Sequence, residues 1–183
     1  MNRSEALELV EQNIKNTNLV KHVLAVEAIM RGLAKHFNED EELWGLVGLL
    51  HDLDYEKTMN TPEKHGLVTV EMLEGKVPQE VIDAIKAHNY EHTGFEPRTK
   101  MDKALIAADA ISGLIVACAL VMPDKKLASV KVKTVKNKFK QKDFARRVSR
   151  ENILFCEQIG LSKEQFFEIA LKSLQNIADK LGL

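Results

Sequence analysis

Histidine and aspartate lie side by side in the segment GLLHDLDYEKT, residues 48–58, where an apolar run ends at His51 and Asp52. A buried imidazole and a buried carboxylate both lose hydration, so each needs a hydrogen-bonding or ionic partner. A metal ion satisfies both groups at once, and a metal that performs chemistry usually has three or four protein ligands. If this pair binds metal, further ligands must come from elsewhere in the chain.

Side chains of the same types recur in apolar surroundings. His22 lies among valines on a predicted helix, and Asp109 lies in the middle of the most apolar stretch of the sequence, residues 104–122. An isolated buried aspartate is costly, so Asp109 requires a partner. Two more histidines, His65 and His88, fall near the start of one predicted helix and at the end of another.

The elements that must position these residues are predicted to be helices, because apolar residues recur at intervals of three and four along nearly the whole chain. The pattern predicts an all-α bundle of about eight or nine helices. The first six are expected near residues 7–14, 19–36, 41–52, 61–75, 78–88 and 104–122. Residues 130–136 alternate like a strand but also fit a helix, and we assign them to a helix.

The helix ends are predicted from capping residues. Pro62 and Pro78 begin the fourth and fifth helices, because proline at the first helical position needs no amide partner. Asp143 is expected to cap a helix that carries Phe144, Val148, Phe155 and Ile159. A capping box of Ser162 and Gln165 opens the last helix, which is expected to end at Gly182.

The candidate residues, in chain order, are His22, His51, Asp52, His65, His88 and Asp109. This order resembles the pattern H…HD…H…H…D of the HD-domain superfamily of metal-dependent phosphohydrolases, and the match spans roughly residues 19–120. The resemblance implies that His22, His51, Asp52 and Asp109 bind a first metal ion. It implies that His65 and His88 serve a second ion bridged by Asp52, and that Asp52, His65 and His88 act in catalysis.

Simpler structural roles compete with this assignment. The pair at residues 51–52 could form a helix-end hydrogen bond, Asp109 an ordinary buried ion pair, and His65 and His88 helix-end interactions. His36 is expected to be exposed. His92 could be a further ligand, but the turn that follows it at Gly94 and Pro97 favours exposure to solvent. Asp54 and Glu56 could orient ligand histidines or could be solvated loop acids, and the sequence favours neither role.

A His and Asp ligand set suits one or two ions of iron, manganese, cobalt, nickel or zinc better than calcium. By the resemblance, a metal-activated water attacks a small phosphoester, such as a nucleotide. There is no GYP sequence after the fifth-helix histidine, which argues against cyclic-di-GMP phosphodiesterases. Two alternatives remain open: a di-iron oxygenase of the same fold, and a non-catalytic module that binds nucleotide or protein.

Residues 124–150 contain eight lysines and three arginines against two aspartates, a net charge of +9, so the rest of the chain carries −10. Such a segment is either a solvated helix face or a surface that attracts an anionic substrate. The candidate substrate-binding residues are Lys136, Lys138, Lys140 and Arg146. Few aromatic side chains accompany them, which argues against a nucleic-acid-binding module.

The 183 residues are expected to form a single domain, with a motif-bearing core at about residues 19–120 and a helical extension at about 124–183. Cys118 and Cys156 lie in apolar patterns typical of buried free cysteines, which favours the cytoplasm. The sequence has no signal-peptide pattern at its first residues. Residues 104–122 are long enough to span a membrane, but Asp109 favours the central helix of a bundle.

Overall fold

The structure, a computed structural model, describes all residues from Met1 to Leu183 and contains no strand. Its helices are α1 (Arg3–Asn13), α2 (Thr17–Phe37), α3 (Glu41–Leu50), α4 (Tyr55–Thr58), α5 (Leu67–Leu73), α6 (Gln79–His88), α7 (Tyr90–Thr93), α8 (Lys100–Leu120), α9 (Val132–Lys140), α10 (Arg150–Ile153), α11 (Phe155–Gln158), α12 (Lys163–Gln175) and α13 (Ala178–Leu181). Eight of them have seven residues or more, and five are single turns. The predicted all-α class is confirmed.

Helices α2 and α8, each of 21 residues, form the centre of the bundle. Helix α2 packs along α3, α8 and α12 and buries residues at the three-and-four spacing seen in the sequence. Gly48 of α3 lies against α2: a Cβ at this position would meet the Glu27 backbone at 2.8 Å. The glycine therefore permits the close helix contact that positions the end of α3.

Helix α8 is long and apolar enough to cross a membrane by length and composition alone. Most of that helix is enclosed by other helices, including α2, α6, α9, α10 and α11. The helix therefore serves as the central element of this bundle, as expected from its uniformly apolar sequence. Its polar residue Asp109 faces His22 of α2, with Oδ1 and Nε2 separated by 3.1 Å.

The predicted fourth helix, residues 61–75, is interrupted. Pro62–Lys64 forms a 3₁₀ turn, His65 is extended, and α5 begins only after Gly66. Gly66 has φ of +85°, a conformation that favours glycine. The prediction that His65 lies within the helix was therefore wrong, and the break projects the histidine into the bundle's polar centre.

The prediction of a helix that starts at Asp143 was also wrong. Residues 141–148 form turns, Ala145 has φ of +47°, and Ser149 caps α10 instead. The Arg150 guanidinium donates hydrogen bonds to six main-chain carbonyls in residues 138–148. Because one side chain satisfies these carbonyls, the segment is ordered without forming helical hydrogen bonds.

The predictions for residues 130–136 and for the start of the last helix are confirmed. Residues 132–140 are helical, and the capping box of Ser162 and Gln165 is present at the start of α12. The last predicted helix ends early, at Gln175, and the single turn α13 follows before Gly182. Buried side chains from α1 through α13 form one continuous hydrophobic core, so the extension packs on the motif-bearing helices.

Candidate metal centre

Five parts of the chain bring six polar side chains together. They are the second turn of α2, the residues after α3, the break before α5, the end of α6 and the middle of α8, which contribute His22, His51, Asp52, His65, His88 and Asp109. Asp52 lies at the centre of the group. Its side chain is 7% exposed, and His51 is completely buried.

The two carboxylate oxygens of Asp52 lie close to all four histidines of the cluster. Its Oδ2 lies 3.5 Å from His22 Nε2, whereas its Oδ1 lies 3.4 Å from His51 Nε2 and 3.2 Å from His65 Nε2. His88 Nε2 is 3.8 Å from the same Oδ1. Ligand atoms of His22, His51 and Asp52 lie within 4.8 Å of one another, and so do those of Asp52, His65 and His88. Each set could hold a metal ion.

The hydrogen bonds on the far side of each imidazole determine which nitrogen faces inward. His51 Nδ1 lies 2.9 Å from Gly48 O, His88 Nδ1 lies 2.5 Å from Ile85 O, and His65 Nδ1 lies 2.9 Å from Asp54 Oδ1. All three partners are acceptors, so each Nδ1 carries a proton. When the rings are neutral, as metal coordination requires, their Nε2 lone pairs face Asp52.

The Nδ1 atom of His22 also faces a hydrogen-bond acceptor, in this case a hydroxyl group. Ser112 Oγ donates to the Asp109 carbonyl at 2.7 Å, so its lone pair faces His22 Nδ1 at 3.3 Å. His22 Nε2 therefore faces the carboxylates of Asp52 and Asp109.

This arrangement fits a divalent metal. His51 Nε2 is buried and has no hydrogen-bond partner, which is costly for a polar atom. The Nε2 atoms of His65 and His88 lie 3.0 Å apart, so two lone pairs would repel each other there unless His65 carries a proton or a cation lies beside them. Imidazole nitrogens and carboxylate oxygens are common ligands of divalent transition metals.

Asp54 holds the second histidine group in place. Its carboxylate is fully buried and accepts hydrogen bonds from His65 Nδ1, Gly66 N and Thr69 N, each at 2.9 Å. A Cβ on Gly66 would lie 2.9 Å from His88 Cε1, so the glycine also makes room for the His88 ring. Of the two roles that the sequence left open for Asp54, the structure supports the orienting one.

The carboxylates strongly perturb the histidines. Burial lowers the pKa of His22, but the hydrogen bond to Asp109 and the nearby negative charges outweigh it and raise the pKa to about 9. Burial also opposes protonation of His65, yet hydrogen bonds to Asp52 and Asp54 raise its pKa to about 10. Burial, with the adjacent histidines, lowers the pKa of His88 to about 4. Without metal, protons on two histidines offset the carboxylate charge.

Burial acts in the opposite direction on the acids. It raises the pKa of Asp52, but the electrostatic interaction with His51 and the hydrogen bond from His65 outweigh it, so the pKa lies below its usual range. The hydrogen bond from His22 likewise lowers the pKa of Asp109 against the effect of burial. Both carboxylates are therefore ionised and available to a cation at neutral pH.

Ser112 is a contributor that the sequence reasoning missed. Its position three residues after Asp109 places both side chains on one helical face, which is the signal in the sequence that could have identified it. Glu56 is partly buried and accepts hydrogen bonds from Lys15 N and Asn16 N, so it connects α4 to the segment before α2. His92 is exposed and pairs with Asn89 instead.

The four basic candidates do not join this group. Lys136 pairs with Glu164 at 2.9 Å, and Lys138 lies over the Phe144 ring. Lys140 and Arg146 are exposed. The cavity at the centre, about 400 Å³ in volume, is lined by none of the four. Its lining residues are Asn16, Asn18, Leu19, His22, Asp52, Tyr55, His65 and Asp109.

The chain is an all-α bundle with a buried cluster of histidines and aspartates around Asp52. These features are typical of a metal-binding protein. A family model described as HD domain matches residues 19–114, and the chain belongs to this family. The family belongs to a superfamily of metal-dependent hydrolases, and some proteins with this domain are non-catalytic. The matched range contains all six clustered side chains.

The curated relative found is ribonuclease Y of Acholeplasma laidlawii, which is 34% identical over 96 residues. That alignment covers 52% of this chain but only 18% of the relative. The chain is therefore similar to a small part of that protein. None of the solved structures compared with the chain matches it significantly.

Proposed function

We propose that this protein is a metal-dependent phosphohydrolase that acts on a nucleotide or another small phosphoester. The observation that carries the proposal is the convergence of four histidine Nε2 atoms on two ionised carboxylates, with His51 Nε2 buried and unpaired. His22, His51, Asp52 and Asp109 would hold one ion. Asp52, His65 and His88 would hold a second, with Asp52 shared between them.

A divalent ion in such a centre lowers the pKa of bound water toward neutrality and neutralises charge on a phosphoryl oxygen. The protein supplies the positions. Asp52 fixes the spacing of the two histidine groups, Asp54 orients His65, and Ser112 orients His22. Tyr55 lies at the cavity and packs edge-on against His65, where it restricts the approach of solvent to that ring.

A small substrate is favoured by the site's surroundings. The central cavity of about 400 Å³ falls within the range of about 300–1,000 Å³ typical of small-molecule sites. Cys118 and Cys156 are buried free thiols, which supports a cytoplasmic location for the reaction.

Hydrolysis of a phosphodiester in RNA is a second candidate, favoured by the similarity to a ribonuclease over residues that include the motif. It differs from the first in requiring a surface that binds a polyanion, for which the exposed +9 segment is available.

The test is metal analysis of protein purified without chelators, followed by assays on phosphomonoesters, cyclic nucleotides, dinucleoside polyphosphates and short RNA. We expect bound transition metal and chelator-sensitive release of phosphate from small esters. Turnover only of RNA would favour the second candidate. Stoichiometric metal with no phosphoester turnover would contradict both, and oxygen-dependent turnover of another substrate would identify an oxygenase.

A further inference from the structure

The basic segment, residues 124–150, carries exposed cations that lie outside the cavity of the metal centre. Six of these side chains form neither an ion pair nor a hydrogen bond within the protein, and together they form the basic surface: Lys131, Lys133, Lys140, Lys142, Arg146 and Arg147. Asp143 is the one acid within residues 131–147. The basic surface therefore keeps most of its positive charge.

Helix α9 presents part of the basic surface because the helix is amphipathic. Its Val135 is buried, and Val132 and Phe139 are half-buried against the core. Lys133 and Lys140 lie on another, exposed face of the helix, seven residues or about 10 Å apart along its axis. Since α9 packs on α8 and α12, these lysines extend from a fixed backbone rather than from a flexible tail.

The turn at residues 141–148 presents the remaining cations, also on an ordered backbone. Arg150 donates hydrogen bonds to six main-chain carbonyls in residues 138–148. These bonds hold the turn even though Ala145 has φ of +47°, which is uncommon for a residue other than glycine. A ligand that contacts Arg146 and Arg147 would therefore have little backbone to order, which lowers the entropic cost of binding.

The turn ends near the part of α8 that carries Asp109. A Cβ on Gly113 would lie 3.2 Å from Val148 Cγ2. Gly113 follows Asp109 by four residues, or about 6 Å along the helix axis. A ligand long enough to cover the basic surface therefore passes close to the metal centre.

The side chains of this region indicate the chemistry of the partner. Cations spread along a helix and a turn suit a polyanion with regularly spaced charges better than they suit a single phosphate. Phe139 and Phe144 are half-buried, and Lys138 lies over the Phe144 ring, so neither ring is free to stack on an unpaired base. A double helix needs no such ring, because its bases are already stacked and its phosphates lie outside. The scarcity of aromatic side chains thus argues against binding of single strands but not of a duplex backbone.

An anionic membrane fits the basic surface less well. Surfaces that dock on membranes usually combine basic residues with exposed large apolar side chains that insert into the bilayer. Within residues 124–150 no large apolar side chain is exposed. Leu120 and Val121 are exposed just before the segment, so the tests below include a membrane as a competing partner.

We infer that the basic surface binds the phosphate backbone of double-helical RNA without reading its sequence. Lysine and arginine side chains are the usual partners of nucleic-acid phosphates. The choice of RNA over DNA rests on the proposed function, in which RNA hydrolysis is the second candidate for the metal centre. The phosphate contacts themselves rest on the charge, the exposure and the ordered backbone of the six residues.

The first test measures binding of an RNA duplex of about 16 base pairs to the protein as purified, by fluorescence anisotropy at several salt concentrations. Gel analysis after each titration confirms that the RNA is intact. We expect a Kd of about 1–100 µM at physiological salt, with log affinity falling linearly with log salt concentration, as for contacts to phosphates alone. Two duplexes of unrelated sequence should bind equally. No binding, or binding independent of salt, would overturn the inference.

The α9 side of the basic surface is tested by Lys131→Gln/Lys133→Gln/Lys140→Gln. These positions are exposed, so the variant should fold, and the salt slope should decrease by about one for each lysine removed. Affinity should decrease about tenfold or more at low salt. The control Lys35→Gln/Lys76→Gln/Lys180→Gln removes the same charge from exposed positions outside the segment and should bind like the wild type. Equal losses in both variants would show only an effect of net charge and refute the assigned surface.

The turn is tested by Arg146→Gln/Arg147→Gln, which should reduce the salt slope by about two. Its control is Lys35→Gln/Arg98→Gln, which changes two exposed cations outside the segment. RNA affinity equal to that of the control would remove the turn from the basic surface and leave α9 too small to account for binding.

Three further probes test the choice of partner. A DNA duplex of the same sequence should bind several-fold more weakly, because the cations have fixed spacing and the two kinds of helix place their phosphates differently. Single-stranded RNA should also bind more weakly, since no ring stacks on its bases. Equal or tighter binding of either probe would contradict the choice of duplex RNA. Vesicles containing phosphatidylserine should not bind, and vesicle binding without RNA binding would assign the basic surface to a membrane instead.

Hydrolysis by the same variants separates this inference from the proposed function. Turnover of small phosphoesters should be unchanged, because none of the six residues lines the metal cavity. Wild-type protein that binds duplex RNA through the basic surface but hydrolyses no RNA supports the surface and refutes the RNA hydrolase. Hydrolysis of RNA with a kcat/KM that neither variant alters supports the hydrolase and refutes the surface.

Discussion

The two sides of Asp52 are built differently. On one side, His22 projects from the second turn of α2 and Asp109 from the middle of α8, the two longest helices, whose backbones are fixed by the core. On the other side, His65 and His88 come from a helix break and a helix end. The first group is held by long helices, whereas the second depends on local hydrogen bonds to Asp54 and on the space left by Gly66.

This difference indicates that the second group, His65 and His88, is easier to disrupt without disturbing the rest of the bundle. A change at the break before α5 affects few core contacts, because His65 is the only member there and Gly66 is next to it. A change in α2 or α8 would disturb packing across the bundle. Asp52 is shared by both groups, so its loss should not distinguish them.

The largest effect is therefore expected from Asp52→Ala. Both proposed metal positions should be lost and phosphoester hydrolysis abolished, because the carboxylate faces every histidine in the cluster. Circular dichroism should show helical content close to that of the wild type, since Asp52 follows the end of α3. Full metal occupancy in the variant, measured by elemental analysis, would refute the shared role.

The metal affinity of both histidine groups should depend steeply on pH. His22 and His65 have pKa values of about 9 and about 10 without metal, so a bound ion must displace their protons at neutral pH. Each displaced proton increases affinity about tenfold per pH unit, or about a hundredfold for both, up to pH values near those pKa values. A pH-independent affinity between pH 7 and 9 would contradict the assigned proton sites.

The same pKa shifts predict that metal-free and metal-loaded protein respond in opposite directions to a rise in pH. The raised pKa values of His22 and His65 stabilise the metal-free fold fully below pH 6.5, and this contribution is lost as pH rises through about 9 and about 10. Metal-loaded protein gains affinity over the same range. The difference in Tm between loaded and metal-free protein should therefore widen with pH, as measured by calorimetry.

Asp54→Asn should weaken only the second group. One amide oxygen cannot accept from three N–H donors, and its NH₂ would face one of them. Loss of a partner that orients a ligand histidine typically costs 10- to 100-fold in metal affinity, by order of magnitude. Asp102→Asn is the control, because Asp102 is equally buried but caps α8 away from the cluster. Equal losses at both metal positions would show that the two sides are not separable.

Ser112→Ala should have the smallest effect, on the first group alone. His22 would lose the hydroxyl that orients Nδ1 but keep its contacts with two carboxylates, so we expect a decrease of about tenfold in affinity at one position. Ser173→Ala removes a similarly buried hydroxyl that bonds only the Ile169 carbonyl, and it should leave metal binding unchanged. Identical metal affinity in both serine variants would remove Ser112 from the site.

Sequence reasoning succeeded where long periodic helices determine the structure. The extents of α2 and α8, and the juxtaposition of His22 with Asp109, follow from apolar spacing together with the motif order. It failed where one side chain replaces helical hydrogen bonds, as Arg150 does for residues 138–148. The Asp54 network was also beyond its reach, because the acid pairs with groups 11 to 15 residues away across a helix break.

The basic segment shows a further limit. Its charge is visible in the sequence, but the position of that charge relative to the centre is a tertiary property. Lys136 and Lys138 have partners within the extension, and none of the four candidate residues lines the central cavity. A count of charges therefore identified a surface but not the residues around the central cavity.

The most direct test of the two-sided centre is the metal-to-protein ratio of the double variant His65→Ala/His88→Ala, compared with the wild type and measured by elemental analysis after removal of free metal. The account predicts two ions in the wild type and one in the variant, because His22, His51, Asp52 and Asp109 still provide one complete set of ligands. An unchanged ratio would contradict it, since His65 and His88 would then hold no ion.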